Sequence, residues 1–190
     1  MKDTFEKIFE NFTVSWDPEN LTKDFTVVEY SDSVLRPKNN DACWQLYDKD
    51  VLFARNFHIN YKQECVEIID KLKELQLNLL LNDSLLINEF KNHKLHYSKV
   101  NLLKTVPGKN IKLHKDITRN ICINIGLKHS NKWESYISIQ PNMVDVNPDN
   151  IIKYILNDGD VCLLHINNPH GAICLNKSES FARYVMTYTL

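Results

Sequence analysis

At 190 residues the chain is long enough for one domain with a sizeable core and too short for two of ordinary size. Apolar residues are 43% and charged residues 25%, and 23 basic against 24 acidic residues leave a net charge of -1. That balance argues against a nucleic-acid binder, which needs a basic surplus, and no run reaches the ~18 apolar residues that span a bilayer.

The first ten residues mix charged and apolar side chains and contain no apolar h-region, so no signal peptide is expected. Cys43, Cys65, Cys122, Cys162 and Cys174 are odd in number, widely spaced and free of any C-x-x-C pattern. Free thiols in a reducing compartment follow, with the cytoplasm as the default location, rather than a disulfide framework or a structural zinc site. Residues 1–57 read as irregular with short elements, among them a first strand at 24–30 and a loop at 36–40. Trp16, Trp44, Phe53 and Phe57 are the core or rim anchors of this part.

Residues 60–76 carry Cys65, Ile68, Ile69, Leu72 and Leu75 at three- and four-residue steps, an apolar stripe at helical period. Asn82-Asp83-Ser84 is a turn and N-cap signal, and a short second helix is expected over 85–90. From Leu95 the period changes to 2. Strands are expected at 97–104, ended by a Pro107-Gly108 turn, and at 111–114 and 120–127. In the last of these, Ile121, Ile123, Ile125 and Leu127 form one face and Asn120, Cys122, Asn124 and Gly126 the other. Further strands fall at 135–140, 151–156, 161–165, 171–175 and 182–189, separated by Asn-, Pro- and Gly-containing turns.

Seven or eight short strands at regular spacing indicate a sheet closed on itself. The expected fold is mainly β with N-terminal helices: a double-stranded β-helix (a cupin-like jelly roll) buttressed by one or two helices. It is a single domain over 1–190, with helical support in 1–95 and the core in 96–190. Gly108 and Gly159 are explained by turns; Gly126 and Gly171 are expected to leave room inside a cavity.

His114 and Asp116 stand two apart, so on a strand they share a face and supply two thirds of a 2-His-1-carboxylate metal site. Seven histidines make one such pair by chance unremarkable, and the context is what gives it weight. Pro107-Gly108 precedes the pair. Gly159-Asp160 turns into the strand 161–165. Asn167-Asn168-Pro169 turns again into His170, and Arg183 lies on a late strand.

This pattern, P-G-x5-H-x-D, then G-D with H ten residues later and R thirteen beyond that, resembles the Fe(II)- and 2-oxoglutarate-dependent oxygenases. The likeness covers residues 97–190 and is closest to the aspartyl/asparaginyl β-hydroxylase-like and proline-hydroxylase-like branch. It implies His114, Asp116 and His170 as ligands of Fe(II), with three positions left for a chelating 2-oxo acid and O2. His165 is the lesser candidate for third ligand. Arg183 would take the far carboxylate of 2-oxoglutarate through its two-pronged guanidinium.

Arg119 either binds the 2-oxo acid or a substrate carboxylate, or forms an outward salt bridge. Tyr97, Lys99 and Asn101 come within reach of the co-substrate from a neighbouring strand, subject to register. The branch often has a serine two residues after the arginine; Val185 stands there, and Thr187 offers a hydroxyl further along the same face.

The function implied is a dioxygenase that hydroxylates a C–H bond of an amino acid, free or in a peptide, while 2-oxoglutarate and O2 become succinate and CO2. A cupin-like barrel binding a metal or small ligand without turnover is the alternative, and a jelly roll with an accidental His-x-Asp pair the third reading. Trp133, Tyr136, Trp44 and Tyr47 either line the mouth or pack. Expected partners are a small molecule or peptide, with neither nucleic acid nor membrane.

Overall fold

The helical stripe becomes a buried seam. A computed structural model describes residues 3–22, 26–28, 45–47, 62–79, 84–105, 110–116, 119–142, 147–176, 178 and 180–190. Helix α2 (Lys62–Asn78) buries Cys65, Ile68, Ile69, Leu72 and Leu75 on one side. Each such side chain contributes about 1.5–3 kcal/mol on leaving water. Helix α3 (Leu85–Asn92) is started by Ser84, whose Oγ accepts the Ile87 N–H at 3.1 Å, and it buries Leu86, Ile87 and Phe90. Ahead of both lies α1 (Pro18–Leu21), a single turn capped by Asp17.

The strands are β1 (Phe5–Phe9), β2 (Thr26–Val28), β3 (Gln45–Tyr47), β4 (Val100–Thr105), β5 (Ile111–His114), β6 (Ile121–Lys128), β7 (Trp133–Ser138), β8 (Ile151–Ile155), β9 (Val161–His165), β10 (His170–Cys174) and β11 (Arg183–Thr189). They form a seven-stranded sheet, β1-β9-β6-β11-β4-β3-β2, and a four-stranded sheet, β5-β10-β7-β8. Every pairing is antiparallel. From β4 onward the chain moves between the sheets, and each gains strands that are neighbours in space but not in sequence. This is the expected double-stranded β-helix.

Period 2 sorts the side chains of the larger sheet. Ile121, Ile123, Ile125, Val161, Leu163, Tyr184, Met186 and Tyr188 pack with α2 and α3 in one core. The opposite face looks into the barrel, where Cys122, Cys162, Leu164 and Val185 meet Ile137 of the smaller sheet. The helices thus buttress the larger sheet, and the interior between the sheets is a separate, smaller cluster.

Several expectations change. The strand expected over 97–104 begins at Val100, and Tyr97–Lys99 is a 3-10 turn. The short elements of the N-terminal region are β1, α1, β2 and β3, of which β2 lies within the strand expected over 24–30. β1 escaped notice because it is a five-residue edge strand with two adjacent charges, Glu6 and Lys7, at its centre, pairing with a strand more than 150 residues away.

Gly126 and Gly171 open no cavity. A Cβ on Gly126 would lie 2.2 Å from the Asn157 carbonyl oxygen, and one on Gly171 2.4 Å from the Tyr136 hydroxyl, so both mark close packing. Trp133 is fully buried against Ile111, Ala172 and Cys174. Tyr136 donates to the Ile111 carbonyl at 3.3 Å. The Pro107-Gly108 turn, the loop at 36–40, Trp44, Phe53 and Phe57 lie outside the described residues, as does the Tyr47 side chain.

Candidate metal centre

Strand pairing brings the two histidines together. His114 is the last residue of β5 and His170 the first of β10, and they are direct partners in the antiparallel ladder. Their rings lie 4.3 Å apart, tilted by 52°. Asp116 follows just beyond the strand, where its backbone N–H bonds the Ile166 carbonyl at 3.0 Å. One ligand atom from each of His114, Asp116 and His170 lies within 4.8 Å of the other two.

His114 and Asp116 are buried, at 3% and 7% exposure, and His170 is half-buried. The His170 Nδ1 lies 2.8 Å from the Asn168 carbonyl. A carbonyl only accepts, so Nδ1 carries the proton and Nε2 keeps its lone pair for a metal. Two imidazoles and one carboxylate form a donor set suited to Fe(II) with positions left open. The residues present therefore fit the ion that the sequence resemblance implies.

The signals around the pair resolve differently. Asp160 is buried and holds its own turn: Oδ2 accepts from the Asn157 backbone N–H at 2.9 Å and from its side-chain amide at 3.0 Å. Gly159 adopts φ 90° in that turn, where a side chain would be strained. His165 pairs with Ile121 and lies on the β9 face of Val161 and Leu163, which packs toward the helices. It points away from His170.

Arg183, the first residue of β11, is 4% exposed. It shares the inward face of Val185 and reaches across to the smaller sheet, where Nη2 donates to the Ser135 Oγ at 3.2 Å. Tyr154 of β8 stands directly opposite Ser135 in the ladder, on the same face. Burial holds the Tyr154 phenol far above its usual pKa, and Cys162, Arg183 and Cys122 are near enough to act on it. One guanidinium and two hydroxyls thus share the barrel interior. Sequence reasoning missed Ser135 and Tyr154; the available signal was that Ser135 is the one hydroxyl on the Trp133–Ser135–Ile137 face of a strand.

Thr187 is in register with Asn101 on β4 and with Asn124 on β6, so three polar side chains cross the inward face in one row. Asn101 is 8% exposed, and its Oδ1 finds no hydrogen-bond partner among the described residues. Tyr97 is not brought in with them. It is 47% exposed, in the turn ahead of β4. Arg119 turns toward the centre: Nη2 lies 3.0 Å from the Asp116 Oδ2, and Nη1 3.5 Å from the Thr189 Oγ1.

No family model matches the sequence, and no curated protein matches it either. Solved structures do match by fold. The Escherichia coli ribosomal oxygenase YcfD aligns over 97% of this chain and 46% of its own, with 16% identity and a TM-score of 0.51. AviO1 from Streptomyces viridochromogenes Tue57 aligns over 99% of this chain and 90% of its own, with 12% identity and a TM-score of 0.50. The chain therefore spans about half the length of YcfD and nearly all of AviO1. These likenesses establish the fold that the strand order describes, the jelly roll of the cupin-like class.

Proposed function

We propose that this protein is a non-haem Fe(II)- and 2-oxoglutarate-dependent oxygenase of the hydroxylase-like branch. The observation that carries the reading is the convergence of His114, Asp116 and His170, within 4.8 Å of one another at one end of a jelly-roll interior. Iron held there would supply the redox chemistry by which R–H, O2 and 2-oxoglutarate become R–OH, succinate and CO2.

The protein's own part is to bind and orient. His114 and His170 give neutral imidazole nitrogens, and Asp116 gives one negative charge that offsets part of the ion's. The Asn168 carbonyl fixes the His170 ring. Arg183 receives the far carboxylate of 2-oxoglutarate, with Ser135 and Tyr154 supplying hydroxyls beside it. Asn101 and Thr187 line the flank of the same cavity and complete the co-substrate contacts. Leu164, Ile137 and Val185 keep that part of the interior apolar.

The substrate proposed is an amino acid, free or within a peptide. A reducing cytoplasm suits the free thiols at Cys65, Cys122, Cys162 and Cys174; among the described residues, no helix is long and apolar enough to cross a membrane. A cupin-like barrel without turnover drew its support from Val185 standing where the branch has serine. Ser135 supplies a hydroxyl to Arg183 from the facing sheet, which favours the oxygenase reading.

The test is anaerobic addition of Fe(II) and 2-oxoglutarate, followed by succinate release in air with panels of amino acids and peptides. A weak visible charge-transfer band and substrate-stimulated succinate are expected, and both should be lost in Asp116→Ala and His170→Ala. Turnover retained in either variant would sink the assignment of the ligands; iron binding with no band would point to the non-catalytic barrel.

A further inference from the structure

Asp116 is held at both its main chain and its carboxylate. Its carboxylate is 8% exposed and one oxygen, Oδ2, is 3.0 Å from the Arg119 guanidinium. Arg119 is 34% exposed and lies three residues further along, on the segment leading into β6. Its second nitrogen reaches Thr189 at the end of β11. The backbone of Asp116 is separately held by Ile166, at the end of β9. The main chain is thus fixed from one side and the carboxylate from another.

A carboxylate can meet a cation through one oxygen or through both. The difference matters here. Three protein ligands giving one atom each leave three positions on a six-coordinate ion: two for a 2-oxo acid and one for O2. A two-oxygen aspartate would remove one of these. We propose that Arg119 is a positioning residue which, by occupying Oδ2, restricts Asp116 to a single metal bond and keeps a coordination position free for the 2-oxo acid. The assignment presupposes the iron site proposed above. Beside the two roles that the sequence offered Arg119, it gives the guanidinium a third, set by its 3.0 Å contact with Asp116. The pairing is shielded on the carboxylate side, so it is not the solvent-screened kind that contributes little.

Co(II) is the probe, because its visible absorption reports coordination without oxygen chemistry. Metal-free parent, Arg119→Ala, Arg119→Lys and His170→Ala proteins are titrated with Co(II), then with 2-oxoglutarate, and their melting temperatures are compared. Arg119→Ala is expected to bind Co(II) with an absorption spectrum altered before any acid is added. Its affinity for 2-oxoglutarate should then fall by about tenfold, the lower end of what partners of metal ligands contribute. Arg119→Lys, which keeps a charged donor, should recover most of both.

An unchanged Co(II) spectrum in Arg119→Ala overturns the proposal. That holds even if 2-oxoglutarate binds more weakly, because Arg119 would then be touching the acid rather than setting Asp116. A lower melting temperature with unchanged spectrum and affinity also overturns it, leaving a structural salt bridge. Failure of the iron reading looks different: the parent would not bind Co(II), or His170→Ala would bind it as well as the parent does.

Discussion

Replacing Arg183 by lysine separates charge from geometry in the proposed co-substrate pocket. Both side chains carry one positive charge, but only the guanidinium presents a planar pair of N–H donors to a carboxylate. Arg183 is 4% exposed and already donates to Ser135, so the interaction it offers is little screened by solvent. A hydrogen bond to a charged group contributes about 1.5–3 kcal/mol. Losing one of the two prongs should therefore weaken 2-oxoglutarate binding by roughly 10- to 150-fold. The assay is titration of Co(II)-loaded protein with 2-oxoglutarate and, in parallel, with 2-oxobutyrate, which chelates identically but has no second carboxylate. Arg183→Lys should leave 2-oxobutyrate binding almost unchanged, so that the preference for the dicarboxylate collapses. Equal weakening of both acids, or of neither, would refute the assignment of Arg183 to the far carboxylate.

Three further outcomes follow from packing and titration. Gly126→Ala should lower the melting temperature by several degrees in calorimetry, since its Cβ would lie 2.2 Å from a backbone oxygen and overpacking costs about 1–3 kcal/mol; an unchanged transition would mean that the turn at Asn157 gives way easily. Burial pushes the Cys162 and Cys65 thiols up to about 12, so at pH 8 only on the order of one in ten thousand is ionised; alkylation should be negligible in the native protein and rapid in denaturant, and prompt native labelling at either site would contradict the packing. Burial raises the Glu67 carboxyl, but hydrogen bonds from the Ser15 N–H and Oγ (2.8 and 2.6 Å) and from Lys71 more than offset it, leaving the pKa below its usual 4.5. A depressed carboxyl stabilises the fold above its unfolded pKa and loses that contribution as pH falls through the folded one. Glu67→Gln should therefore cost about 1–2 kcal/mol near pH 7, with the gap to the parent closing below about pH 4.5 in denaturant unfolding; a gap independent of pH would assign the cost to packing instead.

Much of the architecture was legible because the larger sheet separates two environments. Ile121, Ile123 and Ile125 alternate with Cys122, Asn124 and Gly126, since one face meets helices and the other the barrel interior. The stripe on α2 was equally plain. β1 was not, and neither was the boundary at Val100. An edge strand needs little hydrophobic patterning, and Tyr97 and Lys99 continue an alternation that the backbone abandons for a 3-10 turn. Sequence separation hid β1 further: its partner is β9, and nothing local in Phe5–Phe9 announces that pairing.

The site divides along the same physical line. His114 and His170 were readable because each ends or begins a strand next to a turn, and antiparallel pairing of β5 with β10 makes them neighbours once the strands are granted. What surrounds Arg183 was not readable, because it depends on which strand of the opposite sheet faces β11. In the proposed site, the hydroxyl that the resemblance places two residues after Arg183 would instead come from Ser135, 48 residues earlier and on the other sheet, which already bonds the guanidinium. A cavity between two sheets has two walls, and a carboxylate bound there can take its hydrogen bonds from either. Val185 can therefore serve the apolar cluster while Ser135 and Tyr154 serve the polar end. The motif on one strand underdetermines such a pocket. Only the facing strands, β7 and β8, complete it, and their contribution becomes visible when the sheets are closed on each other.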